Sequence, residues 1–474
     1  MSQEITQNRP STGVRPRRRR LRLGGTAALA ATALLGLTAV QAAAAPRTTA
    51  PVAAEPTAWV VASPGGDTAL VGIDVATHAV VSSITLPTSL ATNVGNTAGA
   101  LAISPNGKTA YLAVEWAREV VPVNLTNEAI GKAIKVGNNP VSLAVTPNGA
   151  RVYVLGFVNL QAASVVAIDT TTDRAAKPVS VGPLESAGEG GIAITPNGDT
   201  VWVSSAENGT VTAISTKSGK AAKPILVGAF PTSLAVTPNG GTLWVANTQD
   251  DDLVPVNLGT LSVGKKVRLG GAPTSLSITP SGQYAFATLG SPASGADRVK
   301  LSGSHAVTKV RLVDATKTPL QVDAVAVDPA GGTAFFCATS EATLAAASTG
   351  TGAEIAPIPM AAGVSGISAI AVTPDQAPTA RLTSHVSGHT VSLNAASSSA
   401  WFGTVAHYAW RFGDGASAIR GPAVSHTYAK AGTYTVTLVV TDSLGTSTTV
   451  VFTGQTVSRN GGRRAGTSIS VKIS

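Results

Sequence analysis

The chain has 474 residues, of which 44% are hydrophobic and only 12% are charged, and it carries a formal net charge of +9. The wealth of aliphatic residues excludes a disordered chain, and the Gly and Pro that interrupt it throughout exclude a coiled coil. The length exceeds that of one ordinary domain, and many short Val- and Thr-rich segments between turn residues predict an all-β protein.

The first 42 residues carry most of the charge, because they contain seven Arg and one Glu. The arginines precede the apolar run GGTAALAATALLGLTAV and the small residues VQAAAAP, which is the pattern of a cleavable secretory signal. We predict a signal peptide at 1–42, a linker at 43–57, and a secreted or extracellular protein, able to associate with the cell wall, with no membrane span after cleavage. General secretory and twin-arginine export both stay open. The mature charge of +3 (+9 for the chain less +6 for this segment) gives no support to nucleic acid as a partner.

The hexapeptide AVTPNG at 144–149 returns at 235–240 and belongs to a longer repeat. Its proline recurs at spacings of 42, 49, 42, 42, 49 and 45 residues, at Pro105, Pro147, Pro196, Pro238, Pro280, Pro329 and Pro374. A period in the forties with four short β-segments per unit is typical of propeller blades. The repeat therefore predicts a seven-bladed β-propeller over residues 58–375.

The residues around each proline predict the geometry of a blade. Thr-Pro-Asn-Gly suits a tight hairpin turn in which Gly takes the left-handed conformation. Large aliphatic residues stand two and four positions before the proline, and Ala or Ser stands three positions before it. This alternation predicts an innermost strand with one large and one small face, so that neighbouring blades pack large onto small.

The two ends of the repeat region complement each other. Residues 58–88 supply the second, third and fourth strands of a blade, whereas 367–373 supply a first strand without successors. We predict that these segments form one blade, which closes the ring and removes open sheet edges.

These features resemble the YVTN-type β-propeller repeat family of exported and surface proteins. The segment that carries the resemblance is Leu243-Trp244-Val245-Ala246-Asn247, with looser forms at 152–156 (VYVLG) and 201–205 (VWVSS). The resemblance covers residues 58–375 and implies a propeller scaffold in an exported protein.

The periodicity changes after Pro378. The segments AHYAWRFGDG (406–415) and SHTYAKAGTYTVTLVVTD (425–442) resemble a PKD domain, an immunoglobulin-like β-sandwich, over residues 378–458. The matching residues are Trp410, Phe412, Gly413, Asp414, Gly415, His426, Tyr428, Gly432, Tyr434 and Asp442. The resemblance implies a spacer or interaction domain, and some members of the family bind calcium. We expect Trp410 and Phe412 in its core, a short joining segment at 375–380 between separately folding modules, and a mobile basic tail at 459–474.

Residues suited to catalysis are sparse in the propeller region. It contains His78 and His305, and the single cysteine of the chain, Cys337, lies in an apolar segment that predicts burial. No set of His, Asp and Glu converges by spacing, so the sequence favours binding over catalysis, with no cofactor and no metal. A lactonase-type propeller hydrolase and a purely structural envelope protein are the alternatives.

Charged and aromatic residues concentrate between the second and third strands of the blades and ahead of first strands. In a propeller these segments share one end. Exposed aromatic rings beside mixed charges suit partner binding, so we predict that this end of a monomeric protein binds an envelope protein or a cell-wall polysaccharide. The predicted binding residues are Glu115, Trp116, Arg118, Phe157, Glu185, Glu189, Glu207, Asn247, Asp250, Asp251 and Asp252.

Overall fold

The structure is a computed structural model that describes residues 56–64, 68–87, 90, 100–158, 162–182, 190–338, 343–360 and 364–474. The predicted signal peptide at 1–42 and the predicted linker as far as residue 55 lie outside these residues. The described chain is built of β-strands, with a short 3-10 helix at Arg463–Ala465, and this confirms the predicted all-β class.

Within the described residues, the repeat region folds into seven antiparallel sheets, the blades of a propeller. Blade 1 contains β1 (Thr57–Pro64), β2 (Ala69–Asp74) and β3 (Val80–Thr85). Blade 2 contains β4 (Leu101–Ile103), β5 (Thr109–Val114), β6 (Glu119–Asn124) and β7 (Ile134–Lys135). Blade 3 contains β8 (Asn139–Val145), β9 (Arg151–Val158), β10 (Ala162–Asp169), β11 (Arg174–Ala175) and β12 (Val179–Gly182). Blade 4 contains β13 (Ile192–Ile194), β14 (Thr200–Ser205), β15 (Thr210–Ser215) and β16 (Ile225–Leu226).

The remaining blades follow the same plan. Blade 5 contains β17 (Pro231–Val236), β18 (Thr242–Asn247), β19 (Asp252–Asn257) and β20 (Val267–Arg268). Blade 6 contains β21 (Pro273–Ile278), β22 (Tyr284–Leu289), β23 (Ala296–Lys300) and β24 (Val307–Val310). Blade 7 contains β25 (Ala324–Val327), β26 (Thr333–Ala338), β27 (Thr343–Ser348) and β28 (Glu354–Pro359). The next strand, β29 (Val364–Val372), returns to blade 1.

Blade 1 joins the two ends of the propeller, which confirms the predicted closure. Strand β29 is its innermost strand and pairs with β1 from Ala58 opposite Val372 to Pro64 opposite Val364. Trp59 Nε1 also donates a hydrogen bond of 3.2 Å to Thr373 Oγ1. The ring therefore has no free inner strand edge between its first and last blades.

The innermost strands β4, β8, β13, β17, β21, β25 and β29 pack side by side around the propeller axis. Behind them, aliphatic side chains of adjacent blades meet in continuous cores; Leu112 of β5, Leu143 of β8 and Val154 of β9 belong to one of these. Cys337 is buried in β26, as predicted. The alternation of large and small residues thus supplies the packing between blades.

Each Pro-Asn-Gly turn is held by its own side chains and by the preceding blade. In blade 3, Thr146 Oγ1 donates to Asn148 Oδ1 at 2.7 Å, and Asn148 Oδ1 accepts the amide of Ala150 at 3.0 Å. Gly149 has a φ of 71°, and a Cβ there would lie 3.3 Å from Cδ of Pro105 in the turn of blade 2. The same contact of a left-handed glycine with the preceding proline recurs at Gly198, Gly240, Gly282 and Gly331. The hexapeptide recurs because it both closes a hairpin and stacks the turns of successive blades.

The chain after Pro374 forms a β-sandwich with its own core. Its strands are β30 (Asp375–Gln376), β31 (Thr383–Ser387), β32 (Thr390–Asn394), β33 (Val405–Arg411), β34 (Ser417–Arg420), β35 (Ala423–Thr427), β36 (Gly432–Asp442), β37 (Val451–Phe452), β38 (Val457–Asn460) and β39 (Gly466–Ile473). The sheet β34-β33-β36-β39 faces the sheet β31-β32-β35, and β30-β38-β37 form a third, small sheet. Trp410 and Phe412 are buried between the facing sheets, as predicted, and Tyr428 Oη donates to Phe412 O at 2.8 Å.

The prediction of a mobile basic tail at 459–474 is wrong. Strand β39 pairs with β36 along its length, from Gly432 opposite Ile473 to Val439 opposite Gly466. Val471 and Ile473 are buried in the sandwich core while Lys472 between them is exposed. The segment is ordered because this alternation matches the open edge of β36, so the sandwich extends to Ile473 rather than ending at residue 458.

The predicted joining segment at 375–380 belongs in part to the sandwich itself. Asp375 and Gln376 are buried, and they form β30, which pairs with β38. Gln376 Nε2 donates to Pro105 O at 2.8 Å, and Arg459 Nε donates to Pro329 O at 2.7 Å. The sandwich is therefore docked on the end of the propeller that bears the Pro-Asn-Gly turns, which we name the turn end.

A hairpin of the sandwich enters the propeller along its axis. We name residues 452–457 the plug hairpin; they run from the last residue of β37 to the first residue of β38. Phe452 is buried in a core that also contains Ile192 of blade 4. Gly454 O accepts a hydrogen bond of 2.5 Å from the amide of Ile194, and Gln455 Nε2 donates to Leu234 O at 2.6 Å. The plug hairpin thus bonds directly to innermost strands of blades 4 and 5.

Candidate partner-binding surface

The opposite end of the propeller, the loop end, bears the turns between second and third strands. Those of blades 2, 4 and 5, at 115–118, 206–209 and 248–251, share one geometry. The fourth residue is left-handed in each, with φ of 59° at Arg118, 62° at Gly209 and 51° at Asp251. The amide of that residue bonds to the carbonyl of the first at 3.1 Å in blades 2 and 4. Such tight turns make the second and third residues the outermost points of the surface.

The turn of blade 2 presents Trp116 to solvent. Its side chain is 64% exposed, whereas the preceding Glu115 is only 8% exposed and burial raises the pKa of its carboxyl. Arg118 Nε donates a hydrogen bond of 3.0 Å to Oδ1 of Asn139 at the start of β8. An exposed indole therefore stands on a base that is fixed to the neighbouring blade.

The acidic run of blade 5 surrounds a lysine. Lys266 Nζ lies 2.5 Å from Asp250 Oδ2 and 3.2 Å from Asp252 Oδ2. The hydrogen bond from Lys266, with a second one from the amide of Ala229, holds the pKa of Asp250 below its usual value. Arg268 Nη1 donates to Asp250 O at 2.6 Å. Because the Lys266 side chain is 55% exposed, the pair with Asp250 contributes at most about 1 kcal/mol to stability, and its larger effect is to fix the positions of the charges.

An open cleft of about 570 Å3 lies beside these charges, between blades 4 and 5. It is lined by 206–209, 226–230, Gln249 and Lys266, and Leu226 beside it is 72% exposed. Glycine is required at Gly228, where φ is 149° and a Cβ would lie 2.8 Å from Asn247 Cγ. The cleft combines an apolar side chain with a lysine and the exposed Glu207, which suits a partner with mixed chemistry.

The structure separates the predicted binding residues into two groups. Trp116, Arg118 and Glu207 are exposed, and Asp250 and Asp251 are half-buried at the loop end. Phe157, Asn247 and Asp252 are buried, so their prediction as contact residues is wrong. Phe157 packs in a core of blades 3 and 4. Asn247 Nδ2 donates hydrogen bonds to Val227 O and Asp252 Oδ1. Glu115 is almost as buried. Glu185 and Glu189 lie outside the described residues.

Sequence reasoning missed Asn139, Leu226, Phe230 and Lys266. The fourth strand of a blade varies in length, so the sequence pattern does not show which of its residues reach the loop end. The missed lysine could have been found, because the basic run KKVRL at 265–269 is the fourth segment of the repeat unit that contains the acidic run TQDDD at 248–252. The structure pairs the two runs through Asp252 opposite Arg268. Among the described residues no three His, Cys, Asp or Glu side chains are grouped closely enough to hold a metal ion.

Comparison with known proteins supports the two parts of the fold. Residues 374–457 match the family described as PKD domain. A protein of unknown function from Desulfotomaculum acetoxidans is 15% identical, with a TM-score of 0.54 over 67% of this chain and 98% of its own. A proposed 6-phosphogluconolactonase from Bacteroides uniformis is 13% identical, with a TM-score of 0.53 over 67% of this chain and 99% of its own. No helix in the described part of the chain is long and apolar enough to cross a membrane. The chain is thus similar to these proteins in its propeller, and it carries a PKD domain behind that propeller.

Proposed function

We propose that this is an exported protein of the cell envelope that binds a partner protein through the loop end of its propeller. The observation that carries the proposal is the exposed Trp116 on a base fixed by Arg118 and Asn139. Aromatic side chains held rigidly beside charges contribute most of the free energy in protein interfaces. The apolar Leu226 and the ion-paired Lys266 form a second contact region at the loop end, on blades 4 and 5, away from Trp116 on blade 2.

The PKD domain supports the envelope location, since it is typical of extracellular proteins. The N-terminal sequence, with its arginines and its apolar run, supports export of the chain. With the sandwich docked on the turn end, the loop end is the surface that faces away from it.

The proposal is tested by binding of the purified protein to envelope fractions. Trp116→Ala and Leu226→Ser should each weaken capture at least about 10-fold, which corresponds to about 1.4 kcal/mol. Trp401→Ala is the matched control, because Trp401 is also exposed but lies on the sandwich. Unchanged capture by both loop-end variants, or equal loss in the control, contradicts the proposal. Loss of capture after protease treatment of the fraction indicates a protein partner, and loss after glycan digestion indicates a polysaccharide.

The alternative is a lactonase-type hydrolase, which the likeness in fold to a proposed 6-phosphogluconolactonase favours. Purified protein should be assayed with lactones, with and without divalent metals. Turnover that disappears when Asp323, which directly precedes the innermost strand β25, is changed to Asn would favour the enzyme over the binding protein.

A further inference from the structure

The propeller axis contains a chamber of about 300 Å3 that the plug hairpin bounds on one side. Thr453, Gln455 and Thr456 of the plug hairpin line it together with residues of the innermost strands. Phe452 anchors the hairpin in the core between blades 3 and 4, and the bonds of Gly454 and Gln455 fix its tip. Among the described residues, the chamber therefore has a floor at the turn end, built by the PKD domain, and a mouth towards the loop end.

The two walls of the chamber differ in chemistry. Blades 5 and 6 contribute hydroxyl groups, from Thr232, Ser233, Thr248, Thr274, Ser275 and Ser277. Blades 1 to 4 contribute aliphatic side chains, among them Leu101, Leu143, Ile192 and Ile370. Six residues before the repeat proline, blades 5 and 6 have Thr232 and Thr274, and blade 7 has Asp323.

The hydroxyl groups near the mouth are oriented to accept hydrogen bonds. Thr248 Oγ1 donates to Pro273 O at 2.7 Å, so its single proton is used. Thr232 Oγ1 lies 2.7 Å from Thr248 Oγ1 and is then the donor of that pair. Both oxygens keep lone pairs for a further donor, and the carboxylate of Asp323 adds acceptor oxygens. A ligand that fits this wall must bring several hydrogen-bond donors.

We propose that the chamber binds a neutral polyhydroxylated molecule the size of a monosaccharide. Its hydroxyl groups donate to Asp323 and to the threonine wall, and its C–H face packs on the aliphatic wall. The volume lies at the lower end of the range for small-molecule sites, about 300–1,000 Å3. The floor residues Gln455 and Thr456 make the site composite, since it includes side chains of both the propeller and the PKD domain.

The charge of the lining distinguishes this ligand from a phosphorylated one. Asp323 is the charged group among the described residues that line the chamber. A phosphate group placed there would meet a carboxylate and acceptor oxygens rather than cations, which disfavours its binding. This inference is independent of partner binding at the loop-end surface, because it concerns the interior of the ring.

The test is saturation-transfer NMR on the full-length mature protein with D-glucose, D-galactose, D-mannose and N-acetyl-D-glucosamine, each at millimolar concentration. At least one sugar should receive magnetisation, and glucose 6-phosphate should receive less than glucose. Ser277→Ala should weaken the affinity for the sugar that binds about 5- to 10-fold, the loss of one hydrogen bond. The other six blades have Ala at the equivalent position, three residues before the repeat proline, so the variant should fold as the natural chain does.

A second variant fills the chamber. Ala326 lines the chamber and is only half-buried, so the larger side chain of Ala326→Leu should abolish the transfer of magnetisation. A third variant, Asp323→Thr, introduces the residue that blades 5 and 6 have at this position and should weaken the transfer. The proposal is overturned if none of the four sugars receives magnetisation. It is overturned as well if glucose 6-phosphate binds as strongly as glucose, or if neither Ser277→Ala nor Ala326→Leu reduces the signal.

Discussion

Replacing Gly454 by Ala should release the plug hairpin from the propeller axis. Gly454 has a φ of 87°, and a Cβ there would lie 2.7 Å from O and 2.8 Å from Cα of Val236, and closer still to its nitrogen. These atoms belong to the backbone of β17 and cannot rotate away, so the hairpin must move outward. The movement breaks the hydrogen bonds that Gly454 O and Gln455 Nε2 make with Ile194 and Leu234.

The loss can be estimated from these contacts. Left-handed Ala costs about 1–2 kcal/mol, and each lost hydrogen bond costs about 1 kcal/mol. Partial exposure of Phe452 adds to this, because full truncation of a buried Phe costs about 3–5 kcal/mol. We expect Gly454→Ala to lower the free energy of unfolding by about 3–5 kcal/mol.

Gly415→Ala is the matched control. Gly415 has a φ of 95° and lies in the same sandwich, but a Cβ there meets nothing within 4 Å. It should cost only the strain of about 1–2 kcal/mol. Urea denaturation gives both free energies, and hydrogen exchange should show lost protection of the Ile194 amide in Gly454→Ala alone. Equal losses in the two variants, with Ile194 still protected, would refute the insertion of the hairpin.

Three further predictions concern closure, the last strand and pH. Deletion of residues 57–86 should lower the unfolding midpoint of the whole propeller, because it removes the partners of β29; a midpoint equal to that of a chain starting at residue 56 would contradict the closure. Truncation after Ala465 should abolish cooperative unfolding of the sandwich, because it exposes the edge of β36, whereas a retained transition would mean that β39 is dispensable. Burial, together with the nearby Asp442, raises the pKa of Asp375 from its usual value near 3.8 to about 7. The stability that the protonated carboxyl contributes is therefore complete below about pH 4 and is lost as pH rises through 7. Asp375→Asn should therefore show a smaller fall in thermal midpoint between pH 5 and pH 8 than the natural chain, and identical slopes would contradict this assignment.

The propeller could be predicted from the sequence because its signals are local. The repeat proline, the following glycine and the period-two alternation before them act within ten residues of each other, so they are visible without any tertiary contact. The closure of blade 1 could be predicted because the start of the repeat region lacks a first strand and its end has a first strand without successors. The strand β39 could have been predicted as well, since Ile469, Val471 and Ile473 alternate with polar residues, but four basic residues drew the interpretation towards a tail.

The plug hairpin and the burial of Phe157 and Asn247 could not be predicted in this way. The hairpin sequence FTGQTV has no periodic partner, and its contacts with Leu234 join residues 221 positions apart. Asn247 ends β18, directly before the partly exposed turn at 248–251. Its burial depends on Val227 O in the connection that follows β16, which the repeat pattern does not specify. Whether a loop-end residue is exposed is decided by the neighbouring blade rather than by its own.

The closure of blade 1 determines when the chain can complete its fold as it leaves the ribosome. Trp59 must wait for Thr373, 314 residues later, before its indole finds its hydrogen-bond partner. The plug hairpin follows some 80 residues after that, and the last strand of the sandwich ends at Ile473. Synthesis must therefore pass Thr373 before the propeller can close and Ile473 before the sandwich is complete, and until then aliphatic sheet edges stay open to aggregation or to a chaperone. A prematurely terminated product would lack the segments that seal both parts, which makes it a ready substrate for proteolysis.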